Sequence, residues 1–167
     1  MTPTAPYSAD LGERAPVEAM RAIDRRLREL TDTWAVDDFE RSYAPGKWTA
    51  RQILIHLAQT EVALGYRARM ALTTSGYAAQ SFDQDAWMAI ESAGSGGSGG
   101  LSGPVALEAL LALVTMNRVL FESLSAADRQ APLSHPEYGS LDVDWIIHQM
   151  AGHQIHHLKQ LEQIGKP

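Results

Sequence analysis

The stretch IIHQMAGHQIHHLKQLEQI, Ile146 to Ile164, decides the fold. Along it Ile146, Met150, His153, His157, Leu161 and Ile164 follow one another at spacings of four, three, four, four and three, which draws one stripe down one side of an α-helix. The stripe predicts a helix that buries this side, capped by Ser140 or Asp142 and ended before Gly165. Two of its members are histidines set among residues that belong in a core. Positions four apart on a helix differ by about 40° in direction and about 6 Å in rise, so both imidazoles can reach one ion. A lone histidine on an apolar face is more often a hydrogen-bonded core residue than a ligand. A pair on one stripe shifts that balance, because two buried imidazoles cannot easily both charge, whereas a shared cation satisfies a nitrogen on each.

Three further segments carry helical periodicity, and turn residues separate them, so the chain reads as all-α, a four-helix bundle. The first helix runs from Pro16 to about Thr31, with Val17, Met20, Ile23, Leu27 and Leu30 facing inward. A second starts at Thr49, where Thr49 and Gln52 have capping-box spacing after the turn at Pro45-Gly46, and continues to about Leu72. The third follows Ser102-Gly103-Pro104, carries Leu107, Leu110, Leu111, Val114 and Leu120, and stops near Leu124, where Ser125 ends it or caps a short turn. Between the second and third lies a long connection, residues 73–103, which ends in a Gly/Ser tract over about 93–103 that reads as a flexible linker and makes one long crossover. His135-Pro136-Glu137-Tyr138-Gly139 reads as a turn or short hairpin before the last helix.

Size and composition bound the function. A chain of 167 residues with 45% hydrophobic content makes one domain, 1–167. Its net charge of -6, with basic residues scattered among acids, argues against a nucleic-acid surface. There is no cysteine, which excludes disulfides, thiolate metal sites and a cysteine nucleophile, so a metal must use His, Asp or Glu. The start, Met1 to Asp10, lacks the pattern of a signal peptide and no apolar run approaches membrane-spanning length, so the expectation is a cytoplasmic protein without a membrane partner. A bundle with surplus apolar face would permit a homodimer.

A third ligand should come from another helix. His56, in Ile53-Leu54-Ile55-His56-Leu57, is the histidine elsewhere in a helical core pattern. Alone it reads as a satisfied core residue; joined to His153 and His157 it completes a three-imidazole site of zinc or nickel type with open positions for water. His148 and His156 lie off the stripe and His135 sits in the turn, which makes exposure or an indirect contact their expected role. Glu-x-x-His pairs of di-iron bundles and the His-Glu-x-x-His of metalloproteases are absent. Glu61, five residues after His56, points about 140° away on the helix, so no general base is evident. Asp83 and Asp85 could cap a helix or position a substrate, and Trp48, Trp87 and Trp145 suit packing better than a substrate cage.

The run Gly46-Lys47-Trp48-Thr49-Ala50-Arg51-Gln52, followed by His56-Leu57 and then Arg67, Arg69, Met70, Ala71 and Leu72, resembles the second helix of the DinB superfamily, in particular its YfiT-like branch. Phe82-Asp83-Gln84-Asp85-Ala86-Trp87, Leu124-Ser125 with Asp128, His135-Pro136-Glu137 and His153-Gln154-Ile155-His156-His157-Leu158 follow in the same order as in that branch, so the resemblance spans about Tyr43 to Ile164. It implies a four-helix bundle with a divalent metal, zinc or nickel, held at His56, His153 and His157. It also implies either a metal-dependent hydrolase or a transferase of low-molecular-weight thiols such as bacillithiol or mycothiol, acting on a small molecule. The Gly/Ser tract and the neutral Gln154, where many relatives carry an acid, depart from the pattern. A divalent ion on three neutral imidazoles would acidify either a water or an external thiol, and with no cysteine in the chain the thiol would be a cosubstrate. A noncatalytic bundle cross-linked by its metal stays open as the third reading.

Overall fold

Two of the long helices begin at a side-chain cap that the sequence supplies. The structure, a computed structural model, describes residues 2–92 and 100–165. In chain order it holds α1 (Ser8–Leu11), α2 (Pro16–Thr31), a 3₁₀ turn (Val36–Glu40), α3 (Ala50–Thr73), α4 (Gln84–Ser92), α5 (Gly103–Ser123), α6 (Ala126–Arg129), strands β1 (Pro132–His135) and β2 (Gly139–Asp142), and α7 (Val143–Ile164). At the head of α3 the Thr49 hydroxyl accepts from the Gln52 N–H at 3.2 Å while the Gln52 side chain accepts from the Thr49 N–H at 2.9 Å, the reciprocal capping box expected from their spacing. Of the two cap candidates for α7, Asp142 takes the role, accepting from the Trp145 N–H at 2.7 Å. Ser125 caps α6 through a second such box with Asp128.

Helices α2, α3, α5 and α7 form the bundle. Neighbours around it are α2 and α7, α7 and α3, α3 and α5, and α5 and α2, which leaves α2 facing α3 and α5 facing α7 across the core. Arg51 near the start of α3 reaches Leu101 beside the start of α5, and Glu61 farther along α3 meets Asn117 farther along α5, so these two helices run the same way. Parallel neighbours need a connection that returns the full length of the bundle, which is the work of residues 74–102. That connection is not structureless: it contains α4, whose Asp83 carboxylate accepts from the N–H groups of Asp85 and Ala86 at 3.0 Å each. Asp83 is therefore a helix cap. The expected Gly/Ser linker lies outside the described residues over 93–99.

The core is continuous, and Met20, Leu27, Leu110, Phe121, Ile146, Ile147, Met150 and Leu161 are fully buried within it. Each such side chain contributes about 1.5–3 kcal/mol of transfer free energy. By length and composition α5 meets the test for a membrane span, with a mean hydropathy of 1.5 over 18 residues, which corrects the reading that no apolar run approaches that length. Its apolar character serves packing on one side, where Leu110, Val114 and Phe121 are buried, while Val105, Met116 and Val119 are exposed.

The expected turn or hairpin before α7 is a hairpin. Leu133 pairs with Leu141 and His135 with Gly139, whose φ of +72° suits the turn. Period-two alternation sends Leu133 and His135 to the same buried face. Residues 77–79 lie alongside β1, with the Ser134 N–H donating to the Tyr77 carbonyl and the Ala79 N–H to the Ser134 carbonyl, which brings Ser81 and Phe82 beside the hairpin. The N-terminal residues pack on α7, where a Cβ at Gly152 would stand 2.4 Å from the Tyr7 carbonyl oxygen.

Gly65 makes a similar close approach on α3. A Cβ there would lie 2.5 Å from Asn117 Oδ1, and Asn117 is held by Glu61 and Arg69 and cannot swing aside without breaking those bonds. Gly65→Ala is expected to destabilise the fold by about 1–3 kcal/mol despite the better helix propensity of alanine. Urea denaturation reads this, and an unchanged or raised midpoint would contradict it.

Candidate metal centre and its cavity

The antiparallel contact of α3 with α7 sets His56 against His153 and His157. His56 Nε2 and His157 Nε2 lie 2.9 Å and 3.0 Å from His153 Nε2, and the rings meet edge to face. All three are buried, and their ligand atoms fall within 4.8 Å of one another. The three histidines picked from the sequence are thus brought to one point.

Their protonation follows from their neighbours. Burial, reinforced by the charge of His157, pushes His56 down to about 3. His157 is brought down to about 4, chiefly by burial, with its bond to Gln160 opposing the shift. Burial holds His153 well below the ordinary imidazole range, with further push from the other rings. At neutral pH all three are uncharged. The Gln160 carbonyl oxygen accepts from His157 Nδ1 at 2.8 Å, its amide nitrogen donates to His156 Nε2 at 3.3 Å, and His156 Nδ1 faces an Asp10 carboxylate oxygen at 3.2 Å. That relay puts the proton of His157 on Nδ1 and leaves its Nε2 with a lone pair. With His157 Nε2 an acceptor, the three converging nitrogens can share one proton at most without opposing two N–H groups. A cation would instead take a lone pair from each, so the residues present fit a divalent metal.

The other residues named from the sequence separate clearly. His148 is half-buried and bonds the Asp144 carbonyl at 2.8 Å, away from the cluster. Trp48 packs on His56 with ring centroids 5.0 Å apart, and Trp87 packs on Phe82. Glu61 does point away from the histidines, as its helical position requires, yet it is 2% exposed and accepts from the Asn117 and Gln154 side-chain amides. Burial raises its carboxyl to about 7 against the pull of those two bonds.

A cavity of about 270 Å³ opens at the histidines, with His56 and His153 in its wall. Tyr7, Arg67, His135, Tyr138, Trp145 and Gln149 also line it. None of these six emerges from the sequence as a site residue, and two left a readable signal. Arg67 stands eleven residues after His56, about 20° away on the same helical face. His135 lies on the inward side of a strand whose alternation is visible once the hairpin is recognised. Tyr7 carries no such signal; its ring stacks at 4.9 Å from that of His153 because the N-terminal segment folds back over α7.

The raised carboxyl of Glu61 gives stability a defined pH dependence. Unfolded, this group ionises near the ordinary glutamate value of 4.5; folded, it holds its proton to about 7. The unfolded chain thus loses the proton first as pH rises, so wild-type stability should fall between about pH 5 and pH 8. Glu61→Gln keeps an oxygen acceptor and cannot ionise. Thermal melts at several pH values are expected to show a smaller loss for Glu61→Gln over this range, and parallel curves for the two proteins would contradict the assignment.

Comparison with known proteins gives the chain relatives of the same fold. The chain is 27% identical over 150 residues to OB0782 of Oceanobacillus iheyensis, a candidate metal-dependent hydrolase, across 90% of this chain and 84% of that protein. It is 21% identical to BH0277 of Halalkalibacterium halodurans, another candidate metal-dependent hydrolase, across 88% and 82%. Among solved structures, YfiT from Bacillus subtilis, a four-helix bundle of unusual topology, superposes with a TM-score of 0.76 at 18% identity, covering 89% of this chain and 83% of that one. A mycothiol-dependent maleylpyruvate isomerase superposes with a TM-score of 0.69 at 14% identity, covering 92% and 62%. The family profile matched over residues 19–161 takes in the bundle and all three converging histidines, and on that match the chain belongs to the DinB superfamily.

Proposed function

We propose that this chain is a metal-dependent hydrolase of small molecules, with a divalent ion, zinc or nickel, held by the Nε2 atoms of His56, His153 and His157. The observation that carries the reading is the meeting of three neutral imidazoles, two of which, His56 and His153, line a cavity. A divalent ion bound there would supply Lewis acidity, polarising a carbonyl or acidifying a water or thiol. The chain's own residues prepare the place. Gln160 fixes the His157 proton on Nδ1 and so presents Nε2. Tyr7 and Trp48 cover the His153 and His56 rings and keep bulk water from them. The cavity leaves room for a small substrate to approach His56 and His153.

The purely structural reading draws on the burial of the cluster, which ties α3 to α7. Structural metal sites are usually closed by four protein ligands, whereas among the described residues this cluster has three members. Its opening to a cavity favours chemistry. The fold shared with a thiol-dependent isomerase keeps a thiol cosubstrate as an arm of the test.

Purified wild-type protein is expected to carry about one divalent ion per chain, and His56→Ala, His153→Ala and His157→Ala each to lose it, by elemental analysis. Equal metal in all four proteins would remove the site. The metal-loaded protein is expected to cleave members of an ester and amide panel without added thiol. Turnover that appears only with a small thiol and an electrophile would replace the hydrolase with the transferase.

A further inference from the structure

Three residues that carry hydrogen-bond donors, Arg67, His135 and Trp145, line the cavity, and among the described residues their donors find one protein acceptor, the Gln80 carbonyl. Arg67 is 9% exposed, and one guanidinium nitrogen donates to the Gln80 carbonyl while the group sits 5.8 Å over the Phe82 ring. No carboxylate lies within ion-pair distance of it among the described residues, although a buried guanidinium ordinarily has one. His135 is 6% exposed, and its Nδ1 accepts the Glu137 N–H at 3.2 Å. Burial and the neighbouring Arg67 charge hold this ring below the usual imidazole range, so it is neutral at pH 7 and its proton sits on Nε2. Trp145 is 7% exposed, and its indole N–H is buried with no partner. All three residues line the same cavity as His56 and His153.

We infer that this cavity holds a carboxylate subsite, formed by Arg67 with the N–H groups of His135 and Trp145, and that the molecule it receives is a small monocarboxylate. A carboxylate supplies acceptors for the nitrogens left over and a closer counter-charge than Glu137, which acts on the guanidinium from beyond ion-pair distance. The charge at the rim narrows the choice further. Glu137 lines the cavity too, exposed and bound by the Ser81 hydroxyl, and it would oppose a multiply charged anion more than a single carboxylate. The inference rests on the hydrolase reading only for where the reacting group lies, toward the histidines; the subsite itself is read from Arg67, His135 and Trp145.

Calorimetric titration with benzoate and with benzamide, its uncharged isostere, separates the two ideas when run on both metal-loaded and metal-stripped protein. Wild type is expected to bind benzoate in both forms, and roughly tenfold more tightly than benzamide. Arg67→Gln is expected to abolish the preference. No benzoate binding by wild type, equal affinity for the two probes, or a preference that survives in Arg67→Gln overturns the subsite. Should Arg67→Gln lose its helical circular dichroism, Trp145→Phe and His135→Phe each remove one donor, and benzoate affinity unchanged in both overturns it equally. A preference for benzoate in a protein that takes up no zinc or nickel when either is supplied, and hydrolyses nothing in their presence, would count against the hydrolase alone.

Discussion

The contact on which the rest of the structure depends is the meeting of three imidazole nitrogens between α3 and α7, His153 Nε2 standing 2.9 Å and 3.0 Å from its two partners. It places a polar point inside a core in which Ile53, Leu57, Ile146 and Met150 are fully buried. Burial keeps the rings uncharged, and the bond from His157 to Gln160 leaves the cluster short of protons, so the nitrogens present acceptors with too few donors between them. The arrangement makes chemical sense around a cation, and that deficit links the fold to its function.

Much of the remaining structure holds this point in place. Asp10 on the N-terminal segment faces His156, His156 meets Gln160, and Gln160 bonds His157, so a residue far away in sequence sets a tautomer in the core. Lys159 also binds Asp10, at 2.6 Å, which fastens the same segment to α7 and keeps Tyr7 over His153. On the opposite side of α3, Glu61 joins Asn117 of α5 to Gln154 of α7, one residue from His153. A protonated Glu61 can bond both amides with little charge to bury, which accounts for an acid in the core with no basic partner among the described residues. Gln154, next to His153, is neutral, and its amide meets that acid.

The sequence was most legible where one helix face decides the outcome. The stripe from Ile146 to Ile164 located α7 and two histidines, and the box of Thr49 with Gln52 located α3 to within a residue. His56 needed the other pair and a family resemblance, because a single histidine in an apolar helix has the same local pattern whether it binds a metal or a carbonyl. The cavity was less legible because its walls come from distant elements: Tyr7 from the N-terminal segment, Arg67 from α3, His135 from a hairpin and Trp145 from α7. No periodicity connects them, and only the tertiary packing shows that they share a space. Helix α4 escaped notice because it is short and its cap, Asp83, reads equally well as a loop aspartate.

A crystal structure of the protein purified with its own metal, with anomalous diffraction recorded at the metal absorption edge, tests the central claim most directly. The account predicts one strong peak about 2.1 Å from the Nε2 atoms of His56, His153 and His157. A peak bound elsewhere, or three imidazoles hydrogen-bonded to one another with no anomalous scatterer between them, would contradict it.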